Sequence, residues 1–153
     1  MRPIFCCGVR ADFTRRFYTG AMDARIEQFL TGKVFAVAGA SNDRAKYGNK
    51  VLRCYQQAGR KVFAIHPREK SVEGAPAFAS LRELPERIDG LSIVTPPAVT
   101  EKLVEEAAAA GVKRLWMQPG AESPAAIARA QQLGLDVIAG GPCLLVALHY
   151  REE

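Results

Sequence analysis

The chain has 153 residues and a formal net charge of +5, with 48% hydrophobic and 24% charged residues. These values are typical of one soluble globular domain, and every apolar run is far too short to span a bilayer, which argues against a membrane protein. Most of the excess positive charge lies in residues 1–21, which hold four arginines and one aspartate. Because no stretch interleaves basic with aromatic residues, the sequence also argues against nucleic-acid binding.

Residues 1–21 differ from the rest of the chain in showing no hydrophobic periodicity. Two explanations stay open: Met22 is the true start and the extension reflects a mis-assigned start, or the arginine-rich extension is a targeting peptide. In either case we expect residues 1–21 to be disordered and residues 22–153 to form a single domain. That domain opens with a short helix, because Ile26, Phe29 and Leu30 are spaced to share one helical face.

From residue 33 onward, short apolar runs alternate with stretches of helical character. The predicted strands are residues 34–38, 62–66, 91–95, 114–118 and 136–139. The predicted helices are residues 45–58, 99–110 and 124–133, with a shorter helical stretch at 80–84. The residues that mark the helix ends are Gly59, Gly111 and Gly134 past three helices, and Ser123-Pro124 before one.

This alternation predicts an α/β fold, a Rossmann-like doubly wound sheet of about five parallel strands with helices on both faces. Right-handed crossovers favour the strand order 3-2-1-4-5. In such folds a ligand lies beyond the carboxyl ends of the strands, near the point where the strand order reverses. The residues that follow each strand are therefore the candidates for a binding site.

The turn after the first strand indicates a nucleotide-type ligand. The strand runs into Gly39-Ala40-Ser41 and a helix follows, an arrangement that presents backbone N–H groups and a helix N-terminus to a phosphate. The turn departs from the dinucleotide pattern G-x-G-x-x-G, because Ser41 and Arg44 stand at its second and third glycine positions. The alternative is that Gly39 merely permits a tight turn in a domain without a ligand.

The end of the second strand also departs from an NAD-binding pattern. His66-Pro67-Arg68 stands where an acidic residue would hold the ribose hydroxyls. A basic residue at this position suits a ligand that carries a phosphate on its adenosine ribose better than it suits NAD. We expect His66 to pack against the ligand or to cap a loop, not to act as a base.

The remaining strands end in glycine, proline and small polar residues, which favours a shaped rim. These segments are Thr95-Pro96-Pro97, Gln118-Pro119-Gly120 and Gly140-Gly141-Pro142-Cys143. The rim shows no serine–histidine–aspartate set, no carboxylate pair and no metal-ligating cluster, so we predict no catalytic residue and no metal site. The sequence therefore favours a binding protein over an enzyme.

The four cysteines form no C-x-x-C pair, which is typical of a cytoplasmic protein with reduced thiols. Cys54 is expected in the core, within a helix, and Trp116 is expected to pack in the core or at the rim, within a strand. Two interpretations of Cys143 stay open: a thiol with a lowered pKa at the start of a final helix, or a small buried apolar residue.

Together these segments resemble the CoA-binding domain family, the stand-alone relatives of the N-terminal domain of succinyl-CoA synthetase α-subunits. The resemblance covers residues 26–150 and is carried by V-A-G-A-S at 37–41, K-Y-G at 46–48, residues 62–67, V-T-P-P at 94–97, L-W-M-Q-P-G at 115–120 and G-P-C at 141–143. It implies coenzyme A or an acyl-CoA as the ligand. The residues that it implies for the CoA phosphates are Gly39, Ala40, Ser41, Arg44, Lys46, Tyr47 and Gly48. Those implied near the nucleotide are His66 and Pro67, and those implied toward the pantetheine are Thr95, Pro96, Pro97 and Gln118.

In the ligases that this family resembles, the phosphorylated histidine and the nucleotide-using machinery lie in other domains. The resemblance therefore implies a CoA or acyl-CoA binding module without catalytic residues. One departure concerns Pro142 and Cys143, which are adjacent here, whereas the ligase pattern places a further residue between them. The alternatives are an NAD(P)-binding oxidoreductase-like protein and a thiol redox protein that forms a mixed disulfide with CoA at Cys143. For protein partners, a homodimer and a partner enzyme subunit both stay open.

Overall fold

The computed structural model describes residues 20–152. The helices in this part of the chain are α1 Gly20–Leu30, α2 Tyr47–Gln57, α3 Pro97–Ala109, α4 Pro124–Gln132 and α5 Leu144–Ala147, with a 3₁₀ helix at Leu81–Glu83. The strands are β1 Val34–Ala38, β2 Lys61–Ile65, β3 Ser71–Val72, β4 Ala75–Phe78, β5 Gly90–Ile93, β6 Arg114–Met117 and β7 Asp136–Ile138. None of these helices combines the length and the apolar character needed to cross a bilayer.

The strands form one mostly parallel sheet in the order β3-β4-β2-β1-β5-β6-β7, which confirms the predicted α/β class. In the numbering of the five predicted strands, the observed order is 2-1-3-4-5, so the predicted order 3-2-1-4-5 is wrong. The reason is that β4 pairs with the outer edge of β2, through Ala64↔Ala77 and Ile65↔Phe78. Strand β5 therefore pairs with the other side of β1, and the order of connection reverses between β1 and β5.

The two additional strands form a hairpin that the sequence analysis did not predict. β3 pairs antiparallel with β4, and the two residues that join them, Glu73 and Gly74, both have positive φ, at 49° and 81°. A two-residue loop with both residues at positive φ matches the right-handed twist of the flanking strands. The hairpin thus extends the sheet beyond β2 by two short strands.

The core lies on both faces of the sheet, as a doubly wound fold requires. On one face, α1, α2 and α5 cover an aromatic cluster in which the Phe29 ring stacks on Phe35 and meets the Trp116 ring edge-on. On the other face, α3 and α4 pack Leu103, Val104 and other apolar residues against β5 and β6. Burial on both faces explains why these strands read as continuous apolar runs.

The predicted helix-end signals are present. The glycines that follow α2, α3 and α4, namely Gly59, Gly111 and Gly134, have φ between 71° and 80°. At the start of α4, the Ser123 side chain accepts a hydrogen bond from the Ala126 N–H at 3.0 Å.

The first helix places Ile26 and Phe29 in the core, on the face that the sequence predicted. It begins at Gly20, two residues before the predicted domain boundary. Apart from residues 20 and 21, the predicted disordered extension lies outside the described residues and stays a prediction.

Candidate functional site

A cleft of about 520 Å³ opens at the carboxyl edge of the sheet, where the strand order reverses between β1 and β5. Its lining is mostly apolar, with two hydroxyls and one thiol. The lining residues are Tyr47, Val94, Thr95, Pro96, Pro119, Gly120, Ala121 and Cys143. The volume lies within the range of small-molecule sites, and the position is where ligands of open α/β sheets bind.

Gly39 brings the end of β1 against the end of β5. Its φ is +92°, and a Cβ atom here would lie 2.9 Å from the Val94 carbonyl oxygen and 3.2 Å from the Thr95 methyl carbon. A side chain at this position would therefore be strained by its backbone conformation and blocked by its neighbours. The turn after β1 needs glycine, and the exposed Gly39 lies against Val94 and Thr95, two residues that line the cleft.

Gly48, in the first turn of α2, lets the helix pack onto the same loop. A Cβ atom here would overlap the Gly39 carbonyl oxygen, and it would lie 3.3 Å from the Ala40 Cα. The N-cap residue of helix α2 is Lys46, and its side chain makes no capping hydrogen bond. The first turn of α2 is thus held directly beside the turn that follows β1.

Buried Asn49 fixes the course of the loop between β1 and α2. Its Nδ2 donates to the Ser41 carbonyl oxygen and to Glu73 Oε2, both at 2.8 Å, while its Oδ1 accepts from Arg53 Nε at 2.7 Å. Within the loop, the Asp43 N–H donates to the Ser41 hydroxyl at 3.0 Å. The loop is therefore ordered from within and from the helix that follows.

The β3–β4 hairpin is tied to this loop through Glu73. The Arg44 guanidinium donates to both carboxylate oxygens, at 2.8 and 3.2 Å, and Asn42 bonds the backbone of Ser71 and Glu73. The hydrogen bonds from Arg44 and Asn49 hold the pKa of Glu73 below its usual value. Arg44, which the resemblance implies for phosphate binding, thus already has an acidic partner.

Gln118, at the end of β6, is fully buried beside the cleft. Its Oε1 accepts from the Leu144 N–H at 2.9 Å and from the Tyr47 hydroxyl at 3.3 Å. The Tyr47 hydroxyl also contacts Cys143 Sγ. Among the described residues, Gln118 Nε2 has no hydrogen-bond partner. A buried amide donor without a partner is uncommon and needs an explanation.

Thr95 and the start of α3 form another wall of the cleft. The Thr95 hydroxyl lies 2.9 Å from that of buried Thr100, which also contacts the carbonyl oxygens of Thr95 and Pro96. Pro96 is the N-cap residue of α3, and Pro97 occupies its first turn. This wall is thereby fixed by short-range hydrogen bonds and two prolines.

His66 caps the loop after β2, one of the two roles expected for it. Its Nδ1 accepts from the N–H groups of Arg68 and Glu69, both at 3.0 Å. His66 is half-buried, and both Pro67 and Arg68 are exposed.

Two of the four cysteines lie within the described residues. Cys54 is buried in α2, as predicted, and burial raises its thiol pKa to about 12. Cys143 is the N-cap residue of α5 and lies half-buried in the cleft wall. The loop before it is held by the buried Trp116, whose Nε1 donates to the Pro142 carbonyl oxygen at 3.0 Å.

The structure brings together only part of the predicted site. Tyr47, Thr95 and Pro96 line the cleft, Gln118 lies beside it, and Gly39 contacts its wall at Val94 and Thr95. The predicted residues that do not line the cleft are Ala40, Ser41, Arg44, Lys46, Gly48, His66, Pro67 and Pro97. In residues 20–152, no group of three or more histidine, cysteine or acidic side chains is placed to hold a metal ion.

The sequence analysis did not assign five of the cleft residues to the site. These are Val94, Pro119, Gly120, Ala121 and Cys143. Glu73 was also missed, and its only mark in the sequence is the glycine that follows it between two short apolar segments. Pro119, Gly120 and Cys143 stand in the rim segments and Val94 in the V-T-P-P motif, whereas nothing in the sequence marks Ala121.

Comparison with known proteins places the chain among CoA-related domains. The family model described as "CoA binding domain" matches residues 33–149. The chain is 33% identical over 81 residues to the ADP-forming acetate–CoA ligase I of Archaeoglobus fulgidus, which is 53% of this chain and 12% of the ligase. It is 34% identical over 89 residues to the α subunit of the ADP-forming acetate–CoA ligase II of Pyrococcus furiosus, which is 58% of this chain and 20% of the subunit.

A solved structure shares the fold over nearly its whole length. A conserved hypothetical protein from Pyrococcus furiosus aligns with a TM-score of 0.71 and 36% identity, covering 75% of this chain and 98% of that one. The chain spans only 12 to 20% of the two ligase chains, so the similarity to them concerns one domain of larger proteins. Because the family model matches most of its length, this protein belongs to the CoA binding domain family.

Proposed function

We propose that this chain binds coenzyme A, with the pantetheine arm in the cleft and the phosphates at the turn between β1 and α2. The observation that carries the proposal is the pair of close approaches at Gly39 and Gly48, which hold the exposed Gly39 and the first turn of α2 beside Val94 and Thr95 in the wall of the cleft. Bare backbone N–H groups beside a helix N-terminus favour an anion. The apolar lining of the cleft suits an uncharged arm.

The charges around the turn support an anionic group. Lys46 is exposed at the N-cap of α2, and no acidic side chain among the described residues pairs with it. Arg44 is exposed as well, and its ion pair with Glu73 keeps it beside the loop. A phosphate at the turn would thus meet Lys46, the Arg44 guanidinium that it would share with Glu73, and the positive end of the α2 dipole.

The adenosine end of the ligand is proposed to lie near the loop after β2. That loop carries His66 and Arg68, and its first acidic residue is Glu69, the fourth residue after the end of β2. An Arg near this position accommodates a phosphate on the ribose. Coenzyme A carries such a phosphate, which NAD lacks.

The cleft offers contacts for binding and little for a reaction. Its described lining holds the hydroxyls of Tyr47 and Thr95 and the thiol of Cys143, with no carboxylate or imidazole. We therefore propose a binding module in the cytoplasm, acting as a homodimer or beside an enzyme subunit. That role parallels the position of the matched segment within the two much longer acetate–CoA ligase chains.

Calorimetric titration with CoA tests the proposal, with NADH and NADPH as comparisons. Gly39→Ala should weaken CoA binding at least about tenfold, because its Cβ would move the turn away from Val94. Gly134→Ala is the matched control, since Gly134 also has positive φ but lies past the end of α4, where an added Cβ would have no atom within 4 Å. Unchanged CoA affinity in Gly39→Ala would count against the site. Tight NADPH binding without competition from CoA would replace the proposal with a nicotinamide-binding function.

A further inference from the structure

We propose that the side-chain amide of Gln118 binds a carbonyl oxygen on the arm of the ligand, an inference that rests on the proposed function. The side chain has no solvent exposure, and its oxygen already accepts from the Leu144 N–H and the Tyr47 hydroxyl. Its nitrogen is buried and has no partner among the described residues. One end of this amide is satisfied by the protein and the other end is not.

The orientation of the amide follows from its neighbours. The backbone N–H of Leu144 can only donate, so the group that faces it at 2.9 Å must be the oxygen of Gln118. Turning the amide over would place two donors against each other and leave the oxygen without this bond. The buried, unpartnered group of Gln118 is therefore a donor, and the ligand group that satisfies it must be an acceptor.

The position of Gln118 identifies the acceptor as part of the ligand's arm. Its amide contacts Tyr47, a cleft residue, and the next residue in the chain, Pro119, also lines the cleft. Tyr47 itself begins α2, where the phosphates are proposed to bind, so Gln118 lies about one tyrosine side chain away from that site. The arm has to cross this distance within the apolar cleft.

A neutral donor in a mostly apolar wall favours a neutral acceptor over an anion, because no cation stands among the described residues that line the cleft. Two sources of such an acceptor exist in the ligand: the amide carbonyls of the pantetheine arm, and the thioester carbonyl that an acyl-CoA adds. Both present the same chemistry to the nitrogen of Gln118. The experiment therefore compares ligands with and without each carbonyl.

The variant Gln118→Glu keeps an oxygen for the Leu144 N–H and replaces the nitrogen donor with an oxygen. Wild type and variant are titrated calorimetrically with CoA, acetyl-CoA, S-ethyl-CoA, which lacks the thioester carbonyl, and adenosine 3′,5′-bisphosphate, which lacks the arm. We expect the variant to bind CoA about tenfold more weakly and the bisphosphate equally well. A loss seen with CoA and both derivatives identifies a pantetheine carbonyl, whereas a loss confined to acetyl-CoA identifies the thioester.

Exposed Gln131, on α4, provides the matched control, since Gln131→Glu makes the same chemical change away from the cleft and should leave every affinity unchanged. If Gln118→Glu binds all four ligands as the wild type does, the inference is wrong and the proposed function stands. If the wild type binds neither CoA nor the bisphosphate, the proposed function itself fails and the inference with it.

A second measurement needs no substitution in the cleft and so does not depend on the fold of a variant. The side-chain amide protons of Gln118 are followed by NMR in the wild type during titration. CoA should move one of them downfield where the acceptor is a pantetheine carbonyl, and acetyl-CoA alone should do so where it is the thioester carbonyl; adenosine 3′,5′-bisphosphate should not in either case. Saturation with CoA and with acetyl-CoA that leaves both protons in place would overturn the inference.

Discussion

The loop that carries the proposed phosphate site depends on one buried side chain, Asn49. Replacing it by alanine removes two donated hydrogen bonds, one to the Ser41 carbonyl oxygen and one to the Glu73 carboxylate, and leaves Arg53 Nε without its acceptor. A neutral hydrogen bond contributes about 1 kcal/mol and one to a charged group about 2 kcal/mol. We therefore expect Asn49→Ala to lower the free energy of unfolding by about 3 kcal/mol.

Thermal and urea unfolding measure this loss. For a domain of this size, about 3 kcal/mol corresponds to a fall in Tm of roughly 10 °C. Gln56→Ala is the matched control, because Gln56 lies on the same helix and donates to the Glu73 carbonyl oxygen at 2.9 Å, but is exposed. It should cost less than about 1 kcal/mol. A loss of stability in Asn49→Ala no larger than in Gln56→Ala would show that the buried Asn49 side chain does not stabilise the loop.

Asn49→Asp adds a pH dependence whose sign follows from its neighbours. The new carboxyl would face Glu73 Oε2, now 2.8 Å from Asn49 Nδ2, within a buried site. Repulsion by the Glu73 carboxylate and burial both raise the folded-state pKa of the new carboxyl, and the Arg53 guanidinium only partly opposes them. A group whose folded pKa lies above its unfolded value penalises the folded state increasingly as pH rises. The stability deficit of this variant should therefore be larger at pH 7 than at pH 4, and a constant deficit would contradict the assignment.

Three further predictions concern groups outside this loop. In a variant with both N-terminal cysteines replaced by serine, iodoacetamide at pH 8 should modify Cys143 first. It should spare Cys54, because a thiol with a pKa of about 12 holds almost no thiolate at this pH. CoA should slow the modification of Cys143, and mass spectrometry measures the order of modification and the effect of CoA. Tyr55→Phe should cost about 1–2 kcal/mol in urea unfolding, because it strands the buried Ser92 hydroxyl that now lies 2.6 Å from the tyrosine oxygen. Hydrogen bonds from Lys50 and Arg53 lower the pKa of Glu152 to about 2, so its carboxyl carbon shift in NMR should titrate near pH 2, while the stability that this contact contributes should be complete above about pH 4.5 and be lost toward pH 2.

The sequence predicted the fold class because its strongest signals are local. Strands buried on both faces read as apolar runs, and the glycines at 59, 111 and 134 mark helix ends that the structure reproduces. The predicted strand order was wrong because the order depends on which edge of β2 is already paired. The hairpin that pairs with the outer edge of β2 consists of strands of only two and four residues. Strands that short carry almost no periodicity, so only the Glu73-Gly74 turn could have indicated them.

The parts of the candidate site that depend on local backbone conformation could be predicted from the sequence, and the parts that depend on tertiary contacts could not. Gly39 could be identified because a glycine between a strand and a helix has few other uses. The pairing of Arg44 with Glu73 could not be predicted, because the hairpin that supplies Glu73 was itself missed. The unpartnered nitrogen of Gln118 is likewise invisible in the sequence, since it depends on which donors reach the oxygen of the same amide.

The two glycines of this turn explain how a chain without G-x-G-x-x-G can still expose its backbone. In the dinucleotide pattern, one glycine makes the tight turn, a second lets the backbone approach the phosphates and a third permits close packing of helix on strand. Here Gly39 makes the turn, and Gly48 lets α2 pack against the Gly39 carbonyl. Arg44, which stands at the third glycine position of that pattern, binds the Glu73 carboxylate of the hairpin, and a glycine there would have no side chain to do so. The departure from the dinucleotide pattern is therefore the feature that joins the proposed phosphate site to the edge of the sheet.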